Sequence, residues 1–127
     1  MKEQTKPKTA YRPRVLVVDD EKRIRDGCHS ILTLGGFEVG LAENGYAGLK
    51  KIEEEHFDII LLDLMMPGMR GIDLLNHVKG KHPDTLIIVI TGYATLEHAV
   101  EAMKKGAFDF ISKPFSPEDL RAVIARA

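Results

Sequence analysis

Apolar runs of four or five residues alternate along this chain with longer stretches in which apolar residues return every third or fourth position. Val15-Leu16-Val17-Val18, Ile59-Ile60-Leu61-Leu62 and Leu86-Ile87-Ile88-Val89-Ile90 are the clearest runs. They have the length of strands and the β-branched content that strands favour. The pattern predicts strands near 14–18, 37–41, 57–62, 86–91 and 108–111, with helices near 21–34, 45–55, 71–80 and 95–105 and a last helix from Pro117 onward. Glycines 35, 80 and 106 fall where three helices should end, and are expected to supply left-handed caps. Ser116-Pro117-Glu118-Asp119 offers an N-cap, a proline at the first helical position and acids in the first turn.

Repeated strand–helix units specify a parallel sheet, and helices over both of its faces explain why strands three and four are apolar throughout. The predicted fold is an open, doubly wound α/β sheet of five strands. Right-handed crossovers bring every strand's C-terminal end to one edge, where such sheets bind ligands. What each run stops on then becomes informative. The first ends at Asp19-Asp20, the third at Asp63, the fourth at Thr91 and the fifth at Lys113-Pro114.

Three carboxylates at one edge repel one another and call for a cation. All-oxygen ligands suit Mg²⁺, which binds through a few carboxylates and keeps waters that a phosphate can displace. With the Thr91 hydroxyl and the Lys113 ammonium opposite, the set holds a nucleophile, a metal site and donors for equatorial oxygens, the requirements of phosphoryl transfer. A carboxylate nucleophile would form an aspartyl phosphate. Asp58 is excluded from this set: five residues before Asp63, it lies about 16 Å away along a strand, at the opposite edge.

At 127 residues the chain is one domain able to bury a core. Its 18 basic and 19 acidic residues argue against a domain held to nucleic acid by bulk charge. The one cysteine, Cys28, shares a helical face with Ile24, Ile31 and Leu32, which reads as a core residue in a reducing cytoplasm. Residues 1–11 read as a flexible, solvated tail without a signal-peptide apolar run, and no segment approaches membrane-spanning length. His29, His56, His77, His82 and His98 lack metal-ligand spacing and are expected at the surface. The last helix is still running at Arg126-Ala127, as expected of a piece cut from a longer protein.

The motifs Val-Val-Asp19-Asp20-Glu21, Leu-Leu-Asp63-Leu-Met-Met-Pro67-Gly, Ile-Thr91-Gly-Tyr-Ala and Asp-Phe-Ile-Ser-Lys113-Pro114-Phe together resemble the receiver domain of two-component response regulators, over about residues 12–127. The resemblance implies strand order 2-1-3-4-5 and phosphorylation of Asp63 by a sensor histidine kinase or a phosphotransfer protein. It implies Mg²⁺ held directly by Asp20, largely through water by Asp19, and by Asp63 and the backbone carbonyl of Met65, with Thr91 and Lys113 contacting the phosphoryl group. Thr91 and the aromatic Phe110 would form the switch to the face of helix four, strand five and helix five. Phe110 could equally be a plain core residue. Met65 and Tyr93 occupy positions that tune acyl-phosphate lifetime in that family, and Lys113-Pro114 matches its cis peptide. The segment from Thr91 to Phe115 looks most like receivers of nitrogen-regulator-type transcription activators, whose phosphorylation controls a homodimer and an output domain outside this chain. Arg70 departs from the acidic or small residue usual before Gly71.

Other classes fit less well. Haloacid-dehalogenase-like phosphatases need a second acid two residues after the nucleophile, where this chain has Met65, so an enzyme is not expected. No glycine-rich phosphate loop follows the first strand. A phosphorylation-independent interaction module, or the receiver of a hybrid histidine kinase, are the remaining alternatives.

Overall fold

Five strands and five helices alternate in the computed structural model, which describes residues 12–92 and 96–127. In chain order they are β1 (Arg14–Val18), α1 (Lys22–Leu34), β2 (Glu38–Ala42), α2 (Gly45–Glu54), β3 (Ile59–Asp63), α3 (Gly71–Lys81), β4 (Leu86–Gly92), α4 (Leu96–Lys104), β5 (Asp109–Lys113) and α5 (Pro117–Arg126). All pairings are parallel and the sheet order is β2-β1-β3-β4-β5, as the resemblance implied. The order reverses between β1 and β3, the two strands that end on the acids.

Alternation along each central strand divides the core between the two faces. Leu16, Val18, Ile60, Leu62, Ile87 and Val89 pack with residues of α2, α3 and α4, among them Ile52, Leu74, Val78 and Ala102. Val15, Val17, Leu61, Ile88 and Ile90 pack on the other side with Cys28 and Leu32 of α1 and Leu120 and Val123 of α5. Each such side chain contributes roughly 1.5–3 kcal/mol of burial, so residues of both alternating sets must be apolar. Cys28 is the small core residue that its helical spacing indicated, 2% exposed.

Two of the three expected glycine caps are corrected. Gly35 has φ −80°, and the left-handed residue is Gly36, at φ 93°. The Gly36 N–H donates to the Thr33 carbonyl and the Phe37 N–H to that of Leu32, a Schellman closure one residue later than expected. Gly106, at φ 110°, makes the same closure on α4, with the Ala107 N–H donating to the Ala102 carbonyl. Gly80 lies inside α3. That helix stops because His82 precedes Pro83 and leaves the helical region, at φ −132° and ψ 63°, the restriction a following proline imposes. α5 starts as expected, with a reciprocal Ser116–Asp119 capping box and Pro117 in the first turn.

Asp58 sits at the far edge, where its Oδ2 accepts the Arg14 N–H at 2.8 Å. The Thr85 hydroxyl ties β4 to that same edge by donating to the Phe57 carbonyl at 2.9 Å. His29, His56 and His98 are exposed, whereas His77 and His82 are half-buried. His77 is drawn in by Glu53 of α2, 3.0 Å away. The peptide bond Lys113–Pro114 is cis. The tail at 1–11 falls outside the described residues. Among the described residues no helix is long and apolar enough to cross a membrane.

Candidate functional site

Parallel pairing sets the level of each strand end. Val18 lies beside Leu62 and Asp63 beside Ile90, so Asp19 and Asp63 leave the sheet side by side. The Asp19 N–H continues the ladder to the Ala42 carbonyl and the Leu64 N–H to that of Ile90, fixing both backbones beyond the last paired residues. Each carboxylate is then aimed by an N–H two residues on. Asp19 Oδ1 accepts from Glu21 at 2.8 Å and Asp63 Oδ1 from Met65 at 2.9 Å. Gly71 closes the site from below: a Cβ there would stand 2.5 Å from the Asp63 carbonyl oxygen and 2.6 Å from Leu64 Cα. Only glycine lets α3 begin this close to the strand end.

Asp19, Asp20 and Asp63 each bring an oxygen within 4.8 Å of the others, the one group among the described residues with metal-holding geometry. Asp19 is wholly buried and Asp63 is 4% exposed, while Asp20 is open to solvent. Asp19 Oδ2 is buried and accepts no hydrogen bond. Lys113 Nζ lies 3.1 Å from it, an ion-pair contact without hydrogen-bond geometry. A buried carboxylate oxygen left with an unused lone pair beside two further acids is what a hard divalent cation fits.

Lys113 reaches from β5 into this cluster, with Nζ 2.5 Å from Glu21 Oε1 and 3.4 Å from Asp63 Oδ2. Burial pushes the Asp19 carboxyl up to about 6; the charge of Asp63 adds to the shift, while the Glu21 N–H and Lys113 oppose it. Burial raises Asp63 as well, against the Met65 N–H and Lys113. Burial acts against the Lys113 charge, yet Glu21, Asp63 and Asp19 together outweigh it and hold the ammonium above its usual range. The hydrogen bond from Lys113 in turn lowers Glu21. The cluster is therefore under electrostatic load that one lysine relieves in part.

Thr91 is buried at 2% exposure and pairs in register with Ser112, next to Lys113. Phe110 is 37% exposed, which excludes the plain-core alternative: β5 is an edge strand that turns Ile111 inward and Phe110 and Ser112 outward. The Met65 side chain is exposed, and Tyr93 lies outside the described residues. Arg70 pairs with Asp73 within the first turn of α3. A groove of about 640 Å³ between α1 and α5 is lined mainly by apolar residues such as Ile31, Leu34 and Phe37. It lies away from the acids and includes none of the five motif residues.

The family model for the response regulator receiver domain matches residues 15–125. The chain belongs to the response regulator receiver family. This receiver is 40% identical over 114 residues to the regulatory protein AtoC of Escherichia coli, covering 90% of this chain and 25% of that protein. It is 39% identical over 113 residues to a cyclic di-GMP phosphodiesterase of Thermotoga maritima, covering 89% of this chain and 30% of that one. Among solved structures, NtrX of Brucella abortus superposes with a TM-score of 0.88 at 36% identity, over 92% of this chain and 27% of its own. A CheY-like receiver domain protein of Methanospirillum hungatei gives 0.86 at 39% identity, over 91% and 93%. The chain spans about a quarter of the length of AtoC and similar curated relatives.

The five motif residues Asp19, Asp20, Asp63, Thr91 and Lys113 all lie at the C-terminal edge of the sheet. The residue that sequence reasoning passed over is Glu21. It was legible only as a third acid after Asp19-Asp20; its contact with Lys113, 92 positions away, needs the fold.

Proposed function

We propose that this receiver is a phosphorylation switch in which Asp63 accepts a phosphoryl group from a sensor histidine kinase or phosphotransfer protein. The observation that carries the reading is the unused, buried Asp19 oxygen beside Asp20, Asp63 and the Lys113 ammonium. An Asp63 oxygen attacks phosphorus, a P–O bond forms, the P–N bond to the donor imidazole breaks, and the nitrogen leaves with the bonding pair. Asp20 would hold Mg²⁺ directly and Asp19 largely through water, with Asp63 and the Met65 carbonyl as the other protein ligands. When bound, the ion supplies charge neutralisation for the transferring oxygens. The Met65 N–H keeps the nucleophile oriented, and near-complete burial of Asp63 limits its hydration. Lys113 and the Thr91 hydroxyl then donate to the phosphoryl oxygens.

Thr91 and Phe110 carry the signal to the face of α4, β5 and α5. The register linking Thr91 with Ser112 and Val89 with Phe110 supports that route. Val100, Met103, Phe108 and Phe110 leave apolar surface exposed there, and burying it in a phosphorylation-dependent homodimer is the proposed output step. The chain works as a signalling module in the cytoplasm rather than as an enzyme, with no direct contact to nucleic acid. An output domain beyond these residues regulates transcription, as the name of a 35% identical relative, the transcriptional regulatory protein ZraR of Escherichia coli, suggests.

Intact mass after incubation with acetyl phosphate, with and without Mg²⁺, on wild type and Asp63→Asn, tests the switch. The expected result is a Mg²⁺-dependent gain of one phosphoryl group that the variant loses. No gain under either condition, together with no beryllofluoride binding by the folded protein, refutes the reading and leaves a constitutive interaction module.

A further inference from the structure

The shortest contact of Lys113 is to neither acid that shares the metal cluster with it. Nζ stands 2.5 Å from Glu21 Oε1, against 3.1 Å to Asp19 Oδ2 and 3.4 Å to Asp63 Oδ2. A lysine facing Asp19 and Asp63 alone would sit on both, a monovalent cation in the place of a divalent one. Mg²⁺ would then have to displace it against its own attraction to two buried charges. Glu21 alters that competition. Its side chain is 47% exposed whereas that of Asp19 is wholly buried, so Glu21 pairs with the lysine while keeping much of its hydration.

The backbone of Glu21 is fixed by its N–H bond to Asp19 Oδ1, and the residue occupies the N-cap of α1. Aspartate, asparagine, serine or threonine at that position accepts a backbone N–H of its own helix, and the longer glutamate is not among these favoured caps. The Glu21 side chain makes no such cap and reaches to β5 instead. We propose that Glu21 is a positioning residue for Lys113: it draws the ammonium toward the solvent side of the cluster, so that its bonds to Asp19 Oδ1 and Asp63 Oδ2 are long, 3.4 Å each, and yield to a divalent cation while the lysine stays beside the nucleophile. This rests on the Mg²⁺-dependent phosphoacceptor reading above.

The rival account is that Glu21 attracts Mg²⁺ simply by adding negative charge, whatever the lysine does. A double-mutant cycle separates the two. Mg²⁺ affinity is measured by titration calorimetry, at constant ionic strength, on wild type, Glu21→Gln, Lys113→Met and the double variant. Glu21→Gln is expected to weaken Mg²⁺ about fivefold when Lys113 is present, the size of one partly exposed ion pair, and less than about twofold in the Lys113→Met background. Equal losses in both backgrounds, or no loss with Lys113 present, overturn the proposal. Failure of wild type to bind Mg²⁺ at all would instead overturn the phosphoacceptor reading.

Should Lys113→Met not fold, the Lys113 side-chain NMR signal is followed during Mg²⁺ titration of wild type and Glu21→Gln. A small shift in wild type and a large one in Glu21→Gln is expected, because only the variant's lysine must leave the acids. Equal shifts refute the positioning role.

Discussion

Replacing Asp19 by asparagine should stabilise the metal-free protein, although it removes an acid central to the proposed function. The carboxyl is pushed from 3.8 to about 6. At about 1.4 kcal/mol per pH unit, ionising it in the folded chain therefore costs about 3 kcal/mol more than in the unfolded chain. Because the folded value is the raised one, the contribution of the neutral carboxyl to stability is complete below pH 3.8 and lost as pH rises through about 6. Asparagine cannot ionise, and its oxygen can keep the 2.8 Å bond from the Glu21 N–H. The ion pair to Lys113 at 3.1 Å, which the variant gives up, already opposes the shift and is contained in it, so the expected gain stays at about 3 kcal/mol. Urea unfolding in EDTA measures it. The midpoint of Asp19→Asn should exceed that of wild type by about 1.5 M at pH 7.5, and the difference should nearly vanish near pH 4. Added Mg²⁺ should raise the wild-type midpoint more than the variant's. A variant less stable than wild type at pH 7.5 without metal, or a difference that ignores pH, would refute the electrostatic load assigned to this cluster.

Gly71→Ala should cost roughly 3 kcal/mol in chemical denaturation and slow phosphorylation, because its Cβ meets the backbone of Asp63 and Leu64 at 2.5 and 2.6 Å; wild-type stability and rate would contradict that contact. Thr85→Val leaves the buried Phe57 carbonyl without the 2.9 Å bond it accepts and should cost about 1–2 kcal/mol with no change in Mg²⁺ affinity, as the site is at the other sheet edge. Cys28, with its thiol pushed up to about 12 by burial and then by the Asp19 charge, should react with a disulfide reagent only on global unfolding; labelling at a free-thiol rate in native buffer would show the core to be open. Phe110→Ala should cost less than about 1 kcal/mol in the unphosphorylated protein, against the 3–5 kcal/mol of a core phenylalanine, and should reduce beryllofluoride-induced self-association measured by sedimentation.

Much of this fold is legible because each central strand faces two ways. Val15 and Val17 pack under α1 and α5 while Leu16 and Val18 pack under α2 and α3, so unbroken apolar runs forecast a sheet covered on both sides. Once the sheet is parallel, its topology puts Asp19, Asp63, Thr91 and Lys113 on one edge without knowledge of any side-chain contact. The caps are less legible. Gly35 and Gly36 are adjacent, and only the closing hydrogen bonds decide which takes the left-handed conformation. At α3 the stop is set by Pro83 acting on His82, two residues after the glycine that the pattern offers as a cap. Phe110 was ambiguous for another reason: on an inner strand its face would be covered, but β5 has one neighbour and α4 leaves that flank partly open.

The balance among charges that share one cation lies beyond any reading of spacing. Asp19-Asp20-Glu21 reads as two metal ligands followed by a third acid, and nothing in that spacing assigns the third acid a partner. What separates Glu21 from a capping residue is that its partner comes from the far end of the chain and is contested by two acids, both nearly inaccessible to water. Three contacts of 2.5, 3.1 and 3.4 Å rank that contest in favour of the exposed acid, the one that surrenders the least hydration by pairing. Burial therefore does two things in this site. It raises the carboxyls that need a divalent cation, and by making Asp19 and Asp63 expensive partners for a lone ammonium it leaves Lys113 free to be held by Glu21.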